Sequence, residues 1–384
     1  MTNVGAHIHA NGATSPVATA KRLVVKIGSA LLVNEETGTL HQAWLDALCD
    51  DIARAHARGQ EVVIVTSGAI GIGRGPLGMR GRKLRLEEKQ AAAATGQMRL
   101  THAYQSSLDR HRITVGQVLI TLDDTENRRR YLNARNTLDT LLTLRAIPVI
   151  NENDSVATAE IRFGDNDRLA ARVAQMISAD TLVLLSDIDG LYTADPRLNA
   201  NAQLVPEVRE ITPQVEAMAG VTTTGVGSGG MVTKIMAAKI CMAAGCRMAI
   251  APGKPMHPLS ALEDGGRCSW FLPAAEPRSA RKSWIAGNVQ TRGIVVVDDG
   301  AIAALKSGKS LLPAGVAEVS GDFERGDAVE VRTKDGQIVG KGLTAYSAAD
   351  MRLIKGHKSD EIENLLGYRG RSEVIHRDDL VFGF

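Results

Sequence analysis

Two lysines, a cluster of carboxylates and amides, and a glycine-rich segment stand at the ends of apolar runs in this 384-residue chain. Gly225, Gly227, Gly229 and Gly230 lead into MVTKIMAAKICMAAG, whose pattern predicts a helix that begins near Met231 and stops at Gly245. Glycine ahead of a helix makes an anion site, because exposed backbone N–H groups and the positive end of the helix dipole attract phosphate oxygens. Lys234, in the first turn, adds a mobile positive charge. The competing reading is an ordinary loop before a core helix. Lys26 ends the apolar run LVV and is followed by Ile27, Gly28 and Ser29, which places an ammonium at a strand's carboxyl end, within reach of a phosphate. An edge lysine that discourages strand pairing would look the same. Ser67 and Gly68 follow VVIVT and offer a hydroxyl and an open backbone, although strand-ending serines are also plain turn formers.

The most polar strand exit is IPVINENDSVATAEIRFGDNDRLAARVA, which presents Asn151, Glu152, Asn153, Asp154, Glu160, Asp165, Asn166 and Asp167. Such oxygen acceptors suit Mg²⁺, an ammonium ligand or the positioning of lysines, and a solvated acidic loop is the plain alternative. TLVLLSDIDGLYTADP adds Ser186 and Asp187 at a further exit, with Tyr192 available to pack near a nucleotide base. Each motif alone is ambiguous; together they form a phosphoryl-transfer toolkit. None of these segments holds a histidine, and no cysteine stands beside a candidate base. A carboxylate acceptor, with a pKa of about 4.3, needs no base because it is already ionised at neutral pH. The G-x-G-x-x-G matches at Gly225, Gly227, Gly230 and at Gly73, Gly75, Gly78 are weak, since one follows the polar VTTT and the other contains Pro76. The P-loop pattern is absent.

The elements that must position these groups follow from the hydrophobic pattern. From Lys21 to about Phe271, the short runs RLVVKIG, EVVIVTSG, IPVIN, TLVLLS and CRMAIA alternate with helical stretches such as WLDALCDDIARAHARG. That alternation predicts an α/β domain with a mainly parallel sheet covered by helices on both faces, its ligands at the carboxyl ends of the strands. LPAAEPRSARKSWIAGNVQ then reads as a linker. Beyond it, GIVVVDDGAIAALK and AEVSGDFERGDAVEVRTKDGQIVGKGLTAYS predict strands separated by Gly-Asp and Asp-Gly turns, a small β-rich domain ending near Gly370. The expected divisions are a disordered tail at 1–19, a catalytic domain at 20–274, a linker at 275–291, the β-rich domain at 292–371 and a tail at 372–384.

Composition narrows the class. A hydrophobic fraction of 44%, a charged fraction of 23% and no apolar run long enough to span a bilayer predict a soluble protein without a membrane partner. The first twenty residues lack the charged and apolar regions of a secretory signal. Cys49, Cys241, Cys246 and Cys268 form no C-x-x-C pair, as expected of a cytoplasmic protein. A net charge of +2 implies no nucleic-acid partner through bulk electrostatics.

VVKIGSALL, IVTSGAI, VINENDSVATAEI, GDNDRLAA, LLSDIDGLYTADPR and GSGGMVTK, in that order and spacing, resemble the amino acid kinase family. Within it they resemble the branch that phosphorylates the side-chain carboxylate of glutamate at the start of proline biosynthesis. GIVVVDDGAIAAL, SLLPAGV and GDFERGDAVEV are similar to the PUA domain that many bacterial members carry. The resemblance implies an amino acid kinase-like three-layer sandwich followed by a PUA-like domain. It implies that Lys26 and Lys234 bind ATP phosphates and stabilise the transferring phosphoryl, with Asp167 holding both lysines. Ser67, Asp154 and Asn166 would bind L-glutamate. Ser186, Asp187, Ser228, Gly229, Gly230, Met231, Val232, Thr233 and Lys234 would bind ATP, taken with Mg²⁺. Ala30 and Ser186 depart from the residues usual in their motifs, and neither removes a needed group. The resemblance also implies a homo-oligomer, inhibition by proline, and delivery of a labile acyl phosphate to glutamate-5-semialdehyde dehydrogenase (glutamyl phosphate reductase).

Two rival readings follow from the same residues. A kinase of the same fold acting on acetylglutamate or aspartate would show most of these motifs. RNA binding by the PUA-like domain is disfavoured by charge, with 13 Lys and Arg against 15 Asp and Glu from Thr291 onward. A local basic patch would have to come from residues such as Arg369, Arg371 and Arg377.

Overall fold

The computed structural model describes residues 15–34, 36–156, 165–220, 230–277, 279, 282 and 290–383. The chain divides into two compact units, one of residues 1–126 and 133–277, the other of residues 127–132 and 278–384.

The first unit is built on an eight-stranded sheet. Its strands are β1 (Arg22–Ile27), β2 (Glu61–Val65), β3 (Val115–Ile120), β4 (Ile147–Glu152) and β5 (Thr181–Ser186), with β8 (Glu207–Val208), β9 (Arg247–Pro252) and β10 (Ser269–Phe271) completing it. The strand order is β3-β4-β2-β1-β5-β9-β10-β8. A separate two-stranded ribbon pairs β6 (Leu191–Tyr192) with β7 (Leu204–Val205). All neighbours from β3 to β9 are parallel, and only β10 runs antiparallel to β9. β1, β2, β4, β5 and β9 are almost wholly buried, which is why each reads as an unbroken apolar run. Register aligns Lys26 with Val65 on one side and with Leu184 on the other, so the carboxyl ends of β1, β2 and β5 open onto one edge. The chain leaves β1 for β2 on one side and returns to β5 on the other, making this the switch point at which open α/β sheets bind ligands.

Strand alternation decides which face each site residue shares. Leu23, Val25 and Ile27 join a core with Leu45, Leu48 and Ile52 of the helix Gln42–Ala57 and with Leu100 and Tyr104 of the helix Leu86–Asp109. Val24 and Lys26 therefore face the opposite layer, where the helices Asp165–Met176 and Met231–Ala243 pack on each other and on the sheet. The second of these helices ends as expected, with Gly245 at φ +76°.

The helix Ala69–Arg74 follows β2 through Gly68, whose φ of +101° is left-handed. It crosses the helix Leu86–Asp109 at a glycine pair. A Cβ on Gly73 would lie 1.8 Å from the Ala92 carbonyl oxygen, and one on Gly96 would lie 1.8 Å from that of Ala69. Gly73 thus serves helix packing and not a dinucleotide turn. Gly96→Ala is expected to force the helices apart, destabilising the unit by about 1–3 kcal/mol and displacing the Ser67–Gly68 turn. A thermal melt checks this, and an unchanged midpoint would show that the crossing yields freely.

The second unit holds a five-stranded sheet of order β12-β11-β13-β14-β15, comprising β11 (Thr291–Val297), β12 (Val316–Gly321), β13 (Ala328–Arg332), β14 (Ile338–Leu343) and β15 (Leu380–Phe382). β11 runs parallel to β13 and every other pairing is antiparallel. Asp335 and Gly336 turn β13 into β14 as expected, with Gly336 at φ +84°. Asp299-Gly300 is no turn: Asp298 accepts a 2.7 Å hydrogen bond from the Ala301 amide and caps the helix Asp299–Lys306.

Both expected tails need correction where they are described. Residues 1–14 lie outside the described residues, but Pro16–Thr19 form a helical turn. Val17 is fully buried, and the Gln60 amide donates to the Val17 and Ala20 carbonyls at 2.8 and 2.6 Å. At the other end, Val374 and Ile375 are buried in the second unit's core and β15 pairs with β14. Both segments are too short to show a periodic pattern, and few side chains anchor them: Val17 in the first, and Val374, Ile375 and Leu380 in the second.

Candidate active site

Asp167 stands in the first turn of the helix Asp165–Met176 and is fully buried. Its Oδ1 lies 2.6 Å from the Lys26 Nζ and its Oδ2 lies 3.3 Å from the Lys234 Nζ. One buried carboxylate thus holds two buried ammonium groups that stand far apart in the sequence. Burial alone would push the Asp167 carboxyl up, but Lys26 and Lys234 beside it outweigh that and hold it below the usual carboxylate range. The Thr233 hydroxyl, which sequence reasoning placed only among the nucleotide contacts, also donates to Asp167 Oδ2 at 2.9 Å. Two positive side chains are thus gathered on one carboxylate, an arrangement suited to an incoming anion.

Gly230 is the N-cap of the helix Met231–Ala243 and has no side chain to cap it. Met231, Val232 and Thr233 are half-buried in its first turn, and Lys234 follows at 6% exposure. Ser228 and Gly229, with Gly225 and Gly227, lie outside the described residues, as does Glu160. Gly28 at the end of β1 leaves space beside Lys26: a Cβ there would be 3.9 Å from its Nζ. Ser186, the last residue of β5, is buried and donates to Asp187 Oδ1 at 3.0 Å, with Asp187 exposed. The Tyr192 hydroxyl donates to Asp189 at 2.8 Å and accepts from Arg267 at 3.0 Å, contacts that tie it to neighbouring side chains.

Beside this cluster, Asn166 reaches back across the strand ends. Its Nδ2 donates to the Ser67 hydroxyl at 2.7 Å, the Thr66 carbonyl at 2.9 Å and Asn151 Oδ1 at 3.1 Å. Ser67 and Asn166 are therefore neighbours, although 99 residues separate them. The buried Asn166 Oδ1 has no hydrogen-bond partner among the described residues. Asp154 follows β4, and burial pushes its carboxyl up to about 6. Thr66 and Tyr104 share a 2.9 Å hydrogen bond beneath the site, and Gln97 contacts Asn151 at 2.7 Å. Neither Gln97 nor Tyr104 stands in a polar motif, and only the parity of Asn151 with Ile147 and Val149, which face their helix, hints at Gln97.

Among the described residues, no three or more His, Cys, Asp or Glu side chains converge as a metal site, and no helix is long and apolar enough to cross a membrane. All four cysteines are free.

Residues 21–252 match the amino acid kinase family and residues 293–366 match the PUA domain. A glutamate 5-kinase of Paramagnetospirillum magneticum is 65% identical over 367 residues, which cover 96% of this chain and 99% of that protein. A glutamate 5-kinase of Rhodospirillum rubrum is 61% identical over 358 residues, covering 93% and 96% of the two chains. With a parallel sheet whose strand ends gather two lysines on one aspartate, and with relatives this similar along nearly their whole length, the chain belongs to the amino acid kinase family, among the glutamate 5-kinases, and carries a PUA domain behind its kinase unit.

Proposed function

We propose that the chain phosphorylates the γ-carboxylate of L-glutamate to L-glutamyl 5-phosphate, the first step of proline biosynthesis from glutamate. The observation that carries this reading is the Lys26–Asp167–Lys234 cluster beside the Ser67–Asn166 pair, in a chain whose close relatives are glutamate 5-kinases. ATP, accompanied by Mg²⁺ that prefers phosphate and water oxygens to an all-protein cage, supplies the phosphoryl group. Lys26 and Lys234 bind phosphate oxygens and neutralise the charge that spreads over the transferring group. Asp167 keeps both ammonium groups at the strand ends. Ser186, Asp187 and the segment from Ser228 to Lys234 hold the nucleotide. Ser67, Asn166 and Asp154 hold glutamate, with Asp154 and the Asn166 oxygen facing its ammonium. The acceptor carboxylate is already ionised, so alignment replaces base catalysis.

Inhibition by proline is part of the proposal, since proline has the ammonium and α-carboxylate that such a pocket recognises in glutamate. An acyl phosphate hydrolyses readily, which supports its delivery to glutamate-5-semialdehyde dehydrogenase, and a homo-oligomer belongs to the same proposal through the family resemblance. Use of ATP and four free thiols support a cytoplasmic location. The test incubates the chain with ATP, Mg²⁺ and L-glutamate in the presence of hydroxylamine, which traps an acyl phosphate as a hydroxamate. Hydroxamate with acetylglutamate or aspartate and none with glutamate would reassign the substrate.

Asp154 gives the reaction a pH dependence. Its charged form binds an ammonium, and burial has raised its folded pKa to about 6. Below that pH the carboxyl takes up a proton that substrate must displace, so KM for glutamate is expected to rise about tenfold per pH unit. The same raised pKa means that Asp154 costs folding stability above pH 6 and that this cost is relieved as pH falls. Asp154→Asn should show a high, flat KM between pH 5 and 8 without lower stability at pH 8. A wild-type KM that is flat across that range would remove Asp154 from the glutamate site.

A further inference from the structure

We infer that Gln97 is a positioning residue that holds Asn151 in place and so supports, together with the Thr66 carbonyl and the Glu152 amide, the orientation of the Asn166 amide by which the site selects an acid bearing an ammonium group. The inference rests on the reading of Asn166 as a glutamate ligand. An amide side chain presents a donor at one end and an acceptor at the other, and nothing in its shape distinguishes them. Only its partners decide. Asn166 meets three acceptors with its nitrogen, at 2.7, 2.9 and 3.1 Å, and its buried oxygen has no partner among the described residues. Were it reversed, it would aim a donor at an ammonium ligand.

The Thr66 carbonyl sets this polarity at Asn166, and a chain of hydrogen bonds that starts in a helix backbone reinforces it. The Thr101 hydroxyl donates to the Gln97 carbonyl at 3.0 Å, so its lone pairs are what Gln97 meets. Gln97 Nε2 donates to that hydroxyl at 3.3 Å, which turns its Oε1 toward β4. Asn151 Nδ2 donates to Gln97 Oε1 at 2.7 Å, which presents Asn151 Oδ1 to Asn166 Nδ2 at 3.1 Å. The Glu152 amide also donates to Asn151 Oδ1, at 2.9 Å, and blocks the opposite orientation. Each amide thus passes its direction to the next, and Gln97 and Asn151 are 7% and 2% exposed, where water is a poor substitute for a lost partner.

The test measures steady-state kinetics of the full chain with L-glutamate and with glutarate, the same diacid without the amino group. Gln97→Met keeps length and volume but removes the acceptor. It is expected to raise KM for L-glutamate at least ~10-fold, to reduce the preference over glutarate by a similar factor, and to leave kcat and KM for ATP within about threefold. Gln97→Glu keeps an acceptor for Asn151, and its second oxygen accepts from a rotated Thr101 hydroxyl, so KM should stay within about threefold of the parent. Unchanged KM and preference in Gln97→Met would overturn the inference. So would a Gln97→Glu variant as impaired as Gln97→Met, because packing alone would then be at work. If Gln97→Met does not fold, Thr101→Val, which cuts the chain at its half-buried anchor, is read by the same criteria. Asn166→Ala is measured alongside: unchanged KM for glutamate there overturns the substrate-site reading and this inference together, whereas a raised KM there with no change in Gln97→Met overturns this inference alone.

Discussion

Lys234→Ala is expected to lower the ATP-dependent rate by ~100-fold or more while leaving the protein folded and no less stable. The two halves of that expectation come from the same geometry. Lys234 and Lys26 both sit on Asp167, so two ammonium groups share one carboxylate. Lys26 is the closer partner, 2.6 Å against 3.3 Å, and it remains when Lys234 is removed. The variant therefore keeps a buried pair and loses the repulsion between two ammonium groups. Catalysis loses the charge that moves with the phosphoryl group from nucleotide to acceptor, which only the transition state uses fully. Lys234→Arg should rescue little, because a planar guanidinium does not fit a position 6% exposed without moving the first helical turn. Rates at saturating ATP and glutamate, with a thermal melt of each variant, check the expectation. Full activity in Lys234→Ala would remove this lysine from the chemistry, and a collapsed fold would show that it stabilises more than it strains.

How far the site was legible depended on whether its contacts were local. β1, β2, β4, β5 and β9 announced themselves because both faces of each are buried. β3 did not: it is the edge strand, half-exposed, with Gly116 and Gln117 interrupting its apolar run, and no continuous pattern survives there. Lys26, Ser67, Asn151 and Ser186 were legible because strand ends are where polar residues have no structural reason to cluster. The meeting of Lys26 with Lys234 was not, since no spacing in sequence joins residues on β1 and on the helix Met231–Ala243. Resemblance to a known family supplied Asp167 as the link, and the structure places it at hydrogen-bonding and ion-pairing distance from both. Gln97 escaped for a further reason. It lies in an alanine-rich helix where one buried glutamine is ordinary, and its meaning comes from Asn151, 54 residues away. The glycines that first suggested a phosphate site, Gly225 to Gly229, lie outside the described residues, so the phosphate-binding argument now stands on the lysines.

Asp167→Asn carries the largest combined effect, and it separates binding from catalysis. The substitution keeps the shape of the side chain and removes the carboxylate that Lys26 and Lys234 share. Leaving buried charge uncompensated costs about 3–5 kcal/mol, so the denaturation midpoint should fall steeply. The carboxylate's own pH dependence points the same way. A folded pKa held below its unfolded value means that Asp167 contributes stability above the unfolded pKa, and that this is lost as pH falls through the folded pKa. The parent should therefore weaken in acid more than Asp167→Asn does. Adding Lys234→Met to Asp167→Asn removes one of the two ammonium groups that lost this carboxylate and should recover part of the lost stability, a coupling that a double-mutant cycle measures directly. Activity should not return in the double variant, since a lysine needed for transfer is gone. In the single variant, Lys26 and Lys234 no longer face the Asp167 carboxylate and attract phosphate more strongly than before. ATP should then raise the melting midpoint of Asp167→Asn more than it raises that of the parent, even as the rate at saturation falls ~100-fold or more. Tighter nucleotide binding with lost turnover is the pattern expected of a residue that positions charge for the transition state. If Asp167→Asn bound ATP more weakly and melted like the parent, the two lysines would owe their placement to the surrounding helices and not to this carboxylate.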